Sequence, residues 1–519
     1  MEPELKKIYD KLLMMSLSKD TLAEVKRLFK MAKLDPQNEY SYIKRLNLIA
    51  SIPTDTRKPK PMSLRAASSI LNQSHLGMKP VKASIIDYIA VILNEGDNQS
   101  VLLLEGPSGV GKTSIAETIA KVLNRPLLSL SNITKTALKG YPPTIEGSEA
   151  GDIIKGVTKL KSLFPVILID EIDKIGDSPK TLSTLLELLD PIQNNNFKDN
   201  YLNIGIDLSG AIFICTANDS EKIATPLMSR LDQISIPAYS VDEKVAIIRN
   251  HILPKIQKQL NISYRYFGLS SEAIEAIING YTSESGVRHL KTLITKIGRK
   301  VVKERLEGKK RKRAVSTSEI CHYLGAPSHK QDLTISQSGV AMGLLYSESG
   351  GEVMFIESSF LTKTGDFRRF VTGQVQDVMR ESSSLAMAYI SSRFNESDTS
   401  APRGSIHIHI PDGSTPKDGP SAGVAFYASI MSTIKNVILP PIAMTGEISL
   451  KGHVLAVGSI TGKIEGAYNL KVREFIIPRS CAPDLAALSK KIRSNSKIHL
   501  VDTLADVYAV LFDGAQFLI

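Results

Sequence analysis

Apolar and polar positions follow three different rhythms along this chain. Over residues 4–50, apolar residues recur every three or four positions among many charges, which predicts amphipathic helices. The Pro- and Lys-rich PTDTRKPKPM at Pro53 to Met62 breaks that period and reads as a linker. Beyond it, short apolar runs bounded by turn signals alternate with helical stretches: VLLLEG at 101–106, PVILID at 165–170 and AIFICTAN at 211–218. Runs with no polar face predict strands covered on both sides, so this region is expected to be a parallel α/β sheet. From about Ser240 to Leu324 the period becomes almost wholly helical, as in SEAIEAII and VRHLKTLITKIGRKVVKERL, until APSHKQDLTIS interrupts it. The remainder mixes alternating strands such as SIHIHI at 405–410 with one long apolar helix after Ser421, an α+β pattern. The expected division is a helical stub and linker at 1–62, an α/β domain at 63–240, an all-helical small subdomain at 241–325 and an α+β domain at 326–519.

Composition narrows the class only slightly. A chain of 519 residues exceeds what one core supports, and with 42% hydrophobic and 23% charged residues it is expected to fold throughout. No uncharged apolar run reaches the length of a membrane helix, so no membrane partner is expected. The opening MEPELKKIYDKLL mixes acids with bases, unlike a secretory signal or a transit peptide. The expected location is the cytoplasm, ahead of the mitochondrial matrix or another organelle. Three cysteines, Cys215, Cys321 and Cys481, lie far apart without a CxxC spacing, which argues against disulfide frameworks and zinc sites. Of the net charge of +11, five positive charges fall in the run Lys309 to Arg313. That run has two readings, a solvated linker and a nonspecific DNA contact.

The string GPSGVGKT at Gly106 to Thr113 follows a predicted strand and opens a predicted helix, the context that makes it a phosphate-binding loop. Gly106, Pro107, Ser108, Gly109, Val110 and Gly111 form a turn whose backbone amides surround phosphates. Lys112 adds a point charge on the outer phosphates, and the Thr113 hydroxyl is a magnesium ligand. PVILID ends in Asp170 followed by Glu171: one carboxylate to hold Mg²⁺, the next to orient and deprotonate the attacking water. Asn218, ending AIFICTAN, is placed to sense the γ-phosphate of ATP. Residues 101–290 resemble an AAA+ ATPase. The resemblance implies that Arg230 in ATPLMSRLD is an arginine finger offered to a neighbouring subunit, that Arg288 in SESGVRHLK is a second sensor, and that the chain assembles as a homohexamer.

A second chemistry lies in PKDGPSAG at Pro416 to Gly423. A serine needs a base within hydrogen-bond reach, and two candidates exist for Ser421. His407 and His409 share one strand face in SIHIHI. Lys463, in VLAVGSITGKIEGA, lies where a Gly-rich turn leads into a short apolar helix that would bury its amine and lower its pKa. No HExxH or comparable cluster offers a protease metal.

PKDGPSAG, AMTGEISLKG and VLAVGSITGKIEGA resemble the proteolytic domain of Lon-family ATP-dependent serine proteases, over residues 63–519 and the helical stub. The resemblance implies a serine–lysine dyad with Ser421 as nucleophile and Lys463 as general base, Thr445 and Asp418 in support, and the two histidines as scaffold. The implied architecture is an α/β AAA+ nucleotide-binding domain with an all-α small subdomain, followed by an α+β Lon-type proteolytic domain. The implied activity is ATP- and Mg²⁺-dependent degradation of unfolded or misfolded proteins. Two rivals compete with it: an ATPase of DNA recombination carrying a Lon-like domain, and a chaperone-like unfoldase with a vestigial protease. The chain also departs from the family pattern. The large N-terminal recruiting domain of long members is not in this sequence. Where the family threads a Tyr and an apolar residue into its pore, TIEGSEAG at Thr144 to Gly151 offers Ile145 and Glu146. Tyr141 and Phe197 are the aromatic candidates for the missing grip, Phe197 through a second pore loop, and ordinary packing is the other reading of each; weak pulling on folded substrates is the consequence expected.

Overall fold

The structure, a computed structural model, describes the chain apart from Met1, Ser16, 55–56, 95–99, Asn132, Glu146, 176–177, Ser283, 309–313, 328–334, 348–349, 363–367, 394–403, 412–417, Ser489 and 513–519. Glu146 and the basic run Lys309 to Arg313 therefore lie outside the described residues. Two compact units follow one another along the chain, Met1–Pro237 and Ala238–Ile519.

The first unit opens with three amphipathic helices, Glu2–Leu13, Lys19–Leu34 and Glu39–Ser51. Ser18 caps the second, its hydroxyl accepting the Thr21 amide, as a Ser immediately before an apolar-periodic run predicts. Their apolar stripes meet over Leu12, Val25, Leu28, Leu46 and Ile49. Seven strands follow: β1 (Val101–Glu105), β2 (Leu127–Leu130), β3 (Val166–Ile169), β4 (Phe197–Asp199), β5 (Ile204–Ile206), β6 (Ile212–Ala217) and β7 (Leu231–Ser235). Five make an all-parallel sheet in the order β2-β3-β6-β1-β7, while β4 and β5 pair as a separate hairpin. The β1, β3 and β6 runs are buried nearly throughout, which is why they read as unbroken apolar segments rather than alternating ones. Each fully buried Leu or Ile contributes roughly 1.5–3 kcal/mol by leaving water. Because β3, β6 and β1 are neighbours, their carboxyl ends bring together residues far apart in sequence, the usual place for a ligand site in such sheets.

The second unit begins with helices that include Val241–Ile247, Ser271–Tyr281, Arg288–Leu306 and Thr317–Leu324. Ser240 with Glu243, and Ser316 with Glu319, form reciprocal capping boxes at two of their starts. Nine strands follow: β8 (Val340–Ser347), β9 (Gly350–Thr362), β10 (Arg368–Thr372), β11 (Ser405–His409), β12 (Ile442–Met444), β13 (Glu447–Ile448), β14 (Val454–Leu455), β15 (Glu474–Pro478) and β16 (Lys497–Val501). Seven build a mixed sheet, β10-β11-β9-β8-β12-β15-β16, and β13 and β14 pair as a hairpin. Alternate residues of the large sheet feed two cores. Ile356, Ile406, Ile408 and Met444 pack with helices Asp377–Ser391 and Gly423–Lys435, whereas Met342, Val353, Phe475 and Ile477 pack with helix Ile460–Asn469. The helix Gly423–Lys435 is buried from Gly423 through Ser432. Such all-round burial explains its unbroken apolar sequence after Ser421.

Candidate active sites

The phosphate loop joins β1 to helix Lys112–Val122. Gly106, Gly109 and Gly111 adopt positive φ, and a Cβ on Gly106 would sit 2.3 Å from the Ile236 carbonyl oxygen. Only glycine satisfies both demands there. Lys112 is buried, and its Nζ donates to the Gly106 and Pro107 carbonyls and, at 2.8 Å, to Asn218 Oδ1. Burial lowers its pKa, while the carboxylates of Asp173, Asp170, Glu171 and Glu105 push the other way.

At the end of β3, Asp170 Oδ1 accepts the Thr216 hydroxyl at 2.6 Å, and the same Thr216 oxygen accepts the Glu171 amide at 2.9 Å. Glu171 has φ of 56°, uncommon for a residue with a side chain. Its half-exposed carboxylate accepts from Lys174 at 2.8 Å. Two carboxylates that the sequence reading passed over fix the neighbouring turn. Asp173 Oδ2 accepts the Asn218 amide at 3.0 Å, and Glu105 Oε1 accepts the Ser220 amide at 3.0 Å. Asp173 Oδ1 is buried with no hydrogen-bond partner among the described residues. The third acidic position of DEID was the available signal for Asp173, but nothing in its spacing separates it from a surface charge.

The Thr113 hydroxyl, the Asp170 carboxylate and that free Asp173 oxygen are hard oxygen donors of the kind Mg²⁺ takes. Among the described residues, no group of three or more His, Cys, Asp or Glu side chains is arranged to hold a metal ion. An oxygen set this sparse fits magnesium held mainly through nucleotide phosphates and water.

Arg230 turns back onto its own unit, donating to the Leu186 carbonyl and pairing with Asp190 at 3.2 Å. Arg288 belongs to the second unit, exposed at the first residue of its helix, where the amides of His289 and Leu290 donate to the Glu284 carboxylate.

In the second unit Ser421 lies in a short 3-10 turn, Pro420–Ala422, that enters helix Gly423–Lys435. Its carbonyl is gripped twice, by the Gly446 amide at 2.9 Å and the Thr445 hydroxyl at 3.1 Å. Lys463, the fourth residue of helix Ile460–Asn469, is 5% exposed and donates from Nζ to Thr445 Oγ1 at 3.3 Å. Thr445 therefore relays between the amine and the backbone of Ser421, and no direct hydrogen bond joins Ser421 Oγ to Lys463 Nζ. Burial drives the Lys463 pKa down to about 8, with the Cys481 thiol opposing. Among the backbone amides around Ser421, those of Gly423 and Val424 are already committed to the Pro420 and Gly446 carbonyls. Asp418 is exposed and accepts the Met379 amide at 3.2 Å, in the first turn of helix Asp377–Ser391, so it anchors the loop ahead of the serine.

His407 and His409 do share one strand face, yet both ring systems turn to Thr372 Oγ1, at 2.9 and 2.8 Å, rather than to Ser421. Of the two readings of Phe197 the structure shows packing: it is fully buried in the core of the first unit beneath Lys139 and cannot grip a substrate. Tyr141 and Ile145 are exposed, at 46% and 50%, and so is Ile192 at 79%, which the sequence reading did not single out.

Comparisons with known proteins match both parts of the chain. Residues 314–514 match the Lon protease (S16) C-terminal proteolytic domain, residues 258–314 the Lon protease AAA+ ATPase lid domain, and residues 102–237 the ATPase family associated with various cellular activities. A Lon protease of Magnetococcus marinus is 35% identical over 98% of this chain and 64% of its own length. For a Lon protease of Lawsonia intracellularis the figures are 38%, 90% and 58%, and for Lon protease 2 of Thermus thermophilus 35%, 99% and 67%. The chain thus spans about three fifths to two thirds of the length of these relatives. Sharing a third of its residues with them along nearly its whole extent, the chain belongs to the Lon protease family.

Proposed function

We propose that the chain is an ATP-dependent serine endopeptidase, working as a homohexameric ring that threads unfolded or misfolded proteins to an internal cleavage site. Its working parts are divided at about residues 62, 240 and 325. The observation that carries this reading is the buried, pKa-lowered Lys463 amine tied through Thr445 to the backbone of Ser421, in a chain that also bears a complete phosphate loop.

In the peptidase step, the neutral Lys463 amine takes the Ser421 hydroxyl proton as Oγ attacks the scissile carbonyl. Substrate binding must close the Oγ–Nζ gap, since catalytic hydrogen bonds commonly tighten only in the complex. The Lys463 ammonium then gives its proton to the departing amine, leaving an acyl-enzyme. Lys463 next deprotonates a water that releases the acyl group. In the ATPase step, Lys112 exchanges its protein acceptors for phosphate oxygens, and Glu171 takes the proton of the attacking water. Magnesium, held by Thr113 and Asp170, would neutralise charge on the phosphates. Asn218 and Arg288 read the nucleotide. Arg230 leaves Asp190 to reach a neighbouring subunit's nucleotide.

The test is degradation of unfolded casein with and without ATP: degradation that requires ATP is expected, whereas ATP turnover with no cleavage would sink the peptidase reading. A second expected result concerns pH. Because the base works as the free amine and its pKa is depressed to about 8, cleavage of a short peptide should rise as pH increases through about 8, the protonated form being inactive below it. A limb that instead rises near pH 10 would mean that burial does not tune Lys463.

A further inference from the structure

Asp199 is wholly buried, carries a carboxylate and takes no part in either site above. Its Oδ2 accepts the Gly151 amide at 2.8 Å and its Oδ1 the Leu202 amide at 2.8 Å. Gly151 closes a loop that leaves the fold at Gly140, and Leu202 caps the β4–β5 hairpin. One side chain thus ties together two segments that are about fifty residues apart in sequence.

We infer that Asp199 is a positioning residue that staples the base of the loop between Gly140 and Gly151 to the 197–206 hairpin, as one rigid support for pulling on polypeptide, an inference that rests on the threading reading above.

Further bonds make the same connection. The Asn200 amide donates to the Lys139 carbonyl at 2.7 Å, and the Asn200 side chain donates to the Gly140 carbonyl at 3.2 Å. The base of the loop is narrow: the Tyr141 amide reaches the Glu149 carbonyl at 3.2 Å, and a Cβ on Gly151 would lie 2.1 Å from the Leu138 carbonyl oxygen. Tyr141 and Ile145 project from this fixed base into solvent, the placement expected of side chains that meet an unfolded chain.

This support is also held from the opposite side by the three N-terminal helices. Tyr201, Leu202, Ile204 and Ile206 share a core with Leu28, Leu46 and Ile49, which Ala150 joins from the end of the loop and Ile154 from the helix after it. Arg45, itself buried, donates to the Leu202 carbonyl at 3.4 Å and pairs with Glu24 at 3.0 Å. The base of the loop, the hairpin and the helices therefore lack independent freedom, because moving any one would open a shared core and strand buried polar groups. Arg230 is connected as well, through Asp190, which precedes the hairpin and also accepts the Ile192 amide at 2.9 Å. A displacement of the arginine during ATP turnover acts on the segment just ahead of the hairpin.

Asp199→Asn in the full chain tests this. The substitution keeps the volume but replaces one acceptor by an amino group facing an N–H donor. ATP-dependent casein degradation, and the extra ATP hydrolysis that casein elicits, should each fall about tenfold. Basal ATP hydrolysis and cleavage of a short unstructured peptide, which needs no pulling, should stay within about twofold. Unchanged casein degradation would overturn the inference, and so would a parallel fall of all four rates, the mark of a merely structural residue. Should the variant not fold, Asn200→Ala removes only the side-chain bond to Gly140, and about a threefold fall confined to the two casein readouts is expected; no fall would overturn the staple. Absence of ATP-dependent casein degradation by the unsubstituted protein would instead break the threading reading itself.

Discussion

Replacing Ser421 by alanine is expected to remove peptide-bond cleavage while leaving ATP hydrolysis intact. In the proposed mechanism the hydroxyl oxygen is the attacking atom, and without it the acyl-enzyme cannot form, so cleavage of casein and of short peptides should drop by roughly 10⁴–10⁶-fold. The fold gives little reason for collateral damage. Ser421 contributes its backbone carbonyl, not its side chain, to the bonds with Gly446 and Thr445, and those survive the change. Ser421 also belongs to the second unit, and the phosphate loop to the first. ATP turnover should therefore stay within about twofold, and the melting temperature should move little, as for other substitutions that remove no buried partner. Residual casein cleavage by this variant at a tenth of the original rate would show that another side chain is the nucleophile. Loss of both activities would point to a structural role for the hydroxyl.

How much of this was legible beforehand depends on how local each feature is. The phosphate loop could be read directly because strand, glycine turn, lysine and helix are contiguous, and the glycines' positive φ values are the reason for that spelling. The parallel sheet was legible as a class from its unbroken apolar runs, but not its order, since the pairing of β1 with both β6 and β7 is long-range. Strand alternation placed His407 and His409 on one face correctly. What they touch was decided by the parallel pairing of β10 with β11, which sets Thr372 beside His409, and no local pattern announces that register. Phe197 stayed open between pore and packing for a related reason: only the hairpin, which folds its ring under Lys139, decides it. The Thr445 relay and the Asp173 and Glu105 clamps escaped notice because each joins elements whose adjacency exists only after folding.

Replacing Glu171 by glutamine is expected to produce the opposite separation: ATP is still bound but is no longer turned over. The phosphate loop, Lys112 and the Thr216 bond to Asp170 are untouched, so affinity for a fluorescent ATP analogue should change less than about threefold. Hydrolysis needs a base for the attacking water, and an amide has no basic oxygen of that strength, so phosphate release should fall roughly 10²–10⁴-fold. The backbone at Glu171 supports this assignment. A residue with a Cβ held at φ of 56°, with its amide tied to Thr216, stores strain that the surroundings must maintain, and such residues concentrate where a side chain has to be aimed. The amide of glutamine can keep the contact with Lys174, so the conformation should persist and the loss be one of proton transfer alone. Casein degradation should vanish with ATP turnover, whereas short-peptide cleavage at Ser421 should continue, the mirror image of the Ser421→Ala pattern. Sustained phosphate release by the glutamine variant would remove Glu171 from the role of base and point to Asp173, a carboxylate with a buried, uncommitted oxygen beside Lys112.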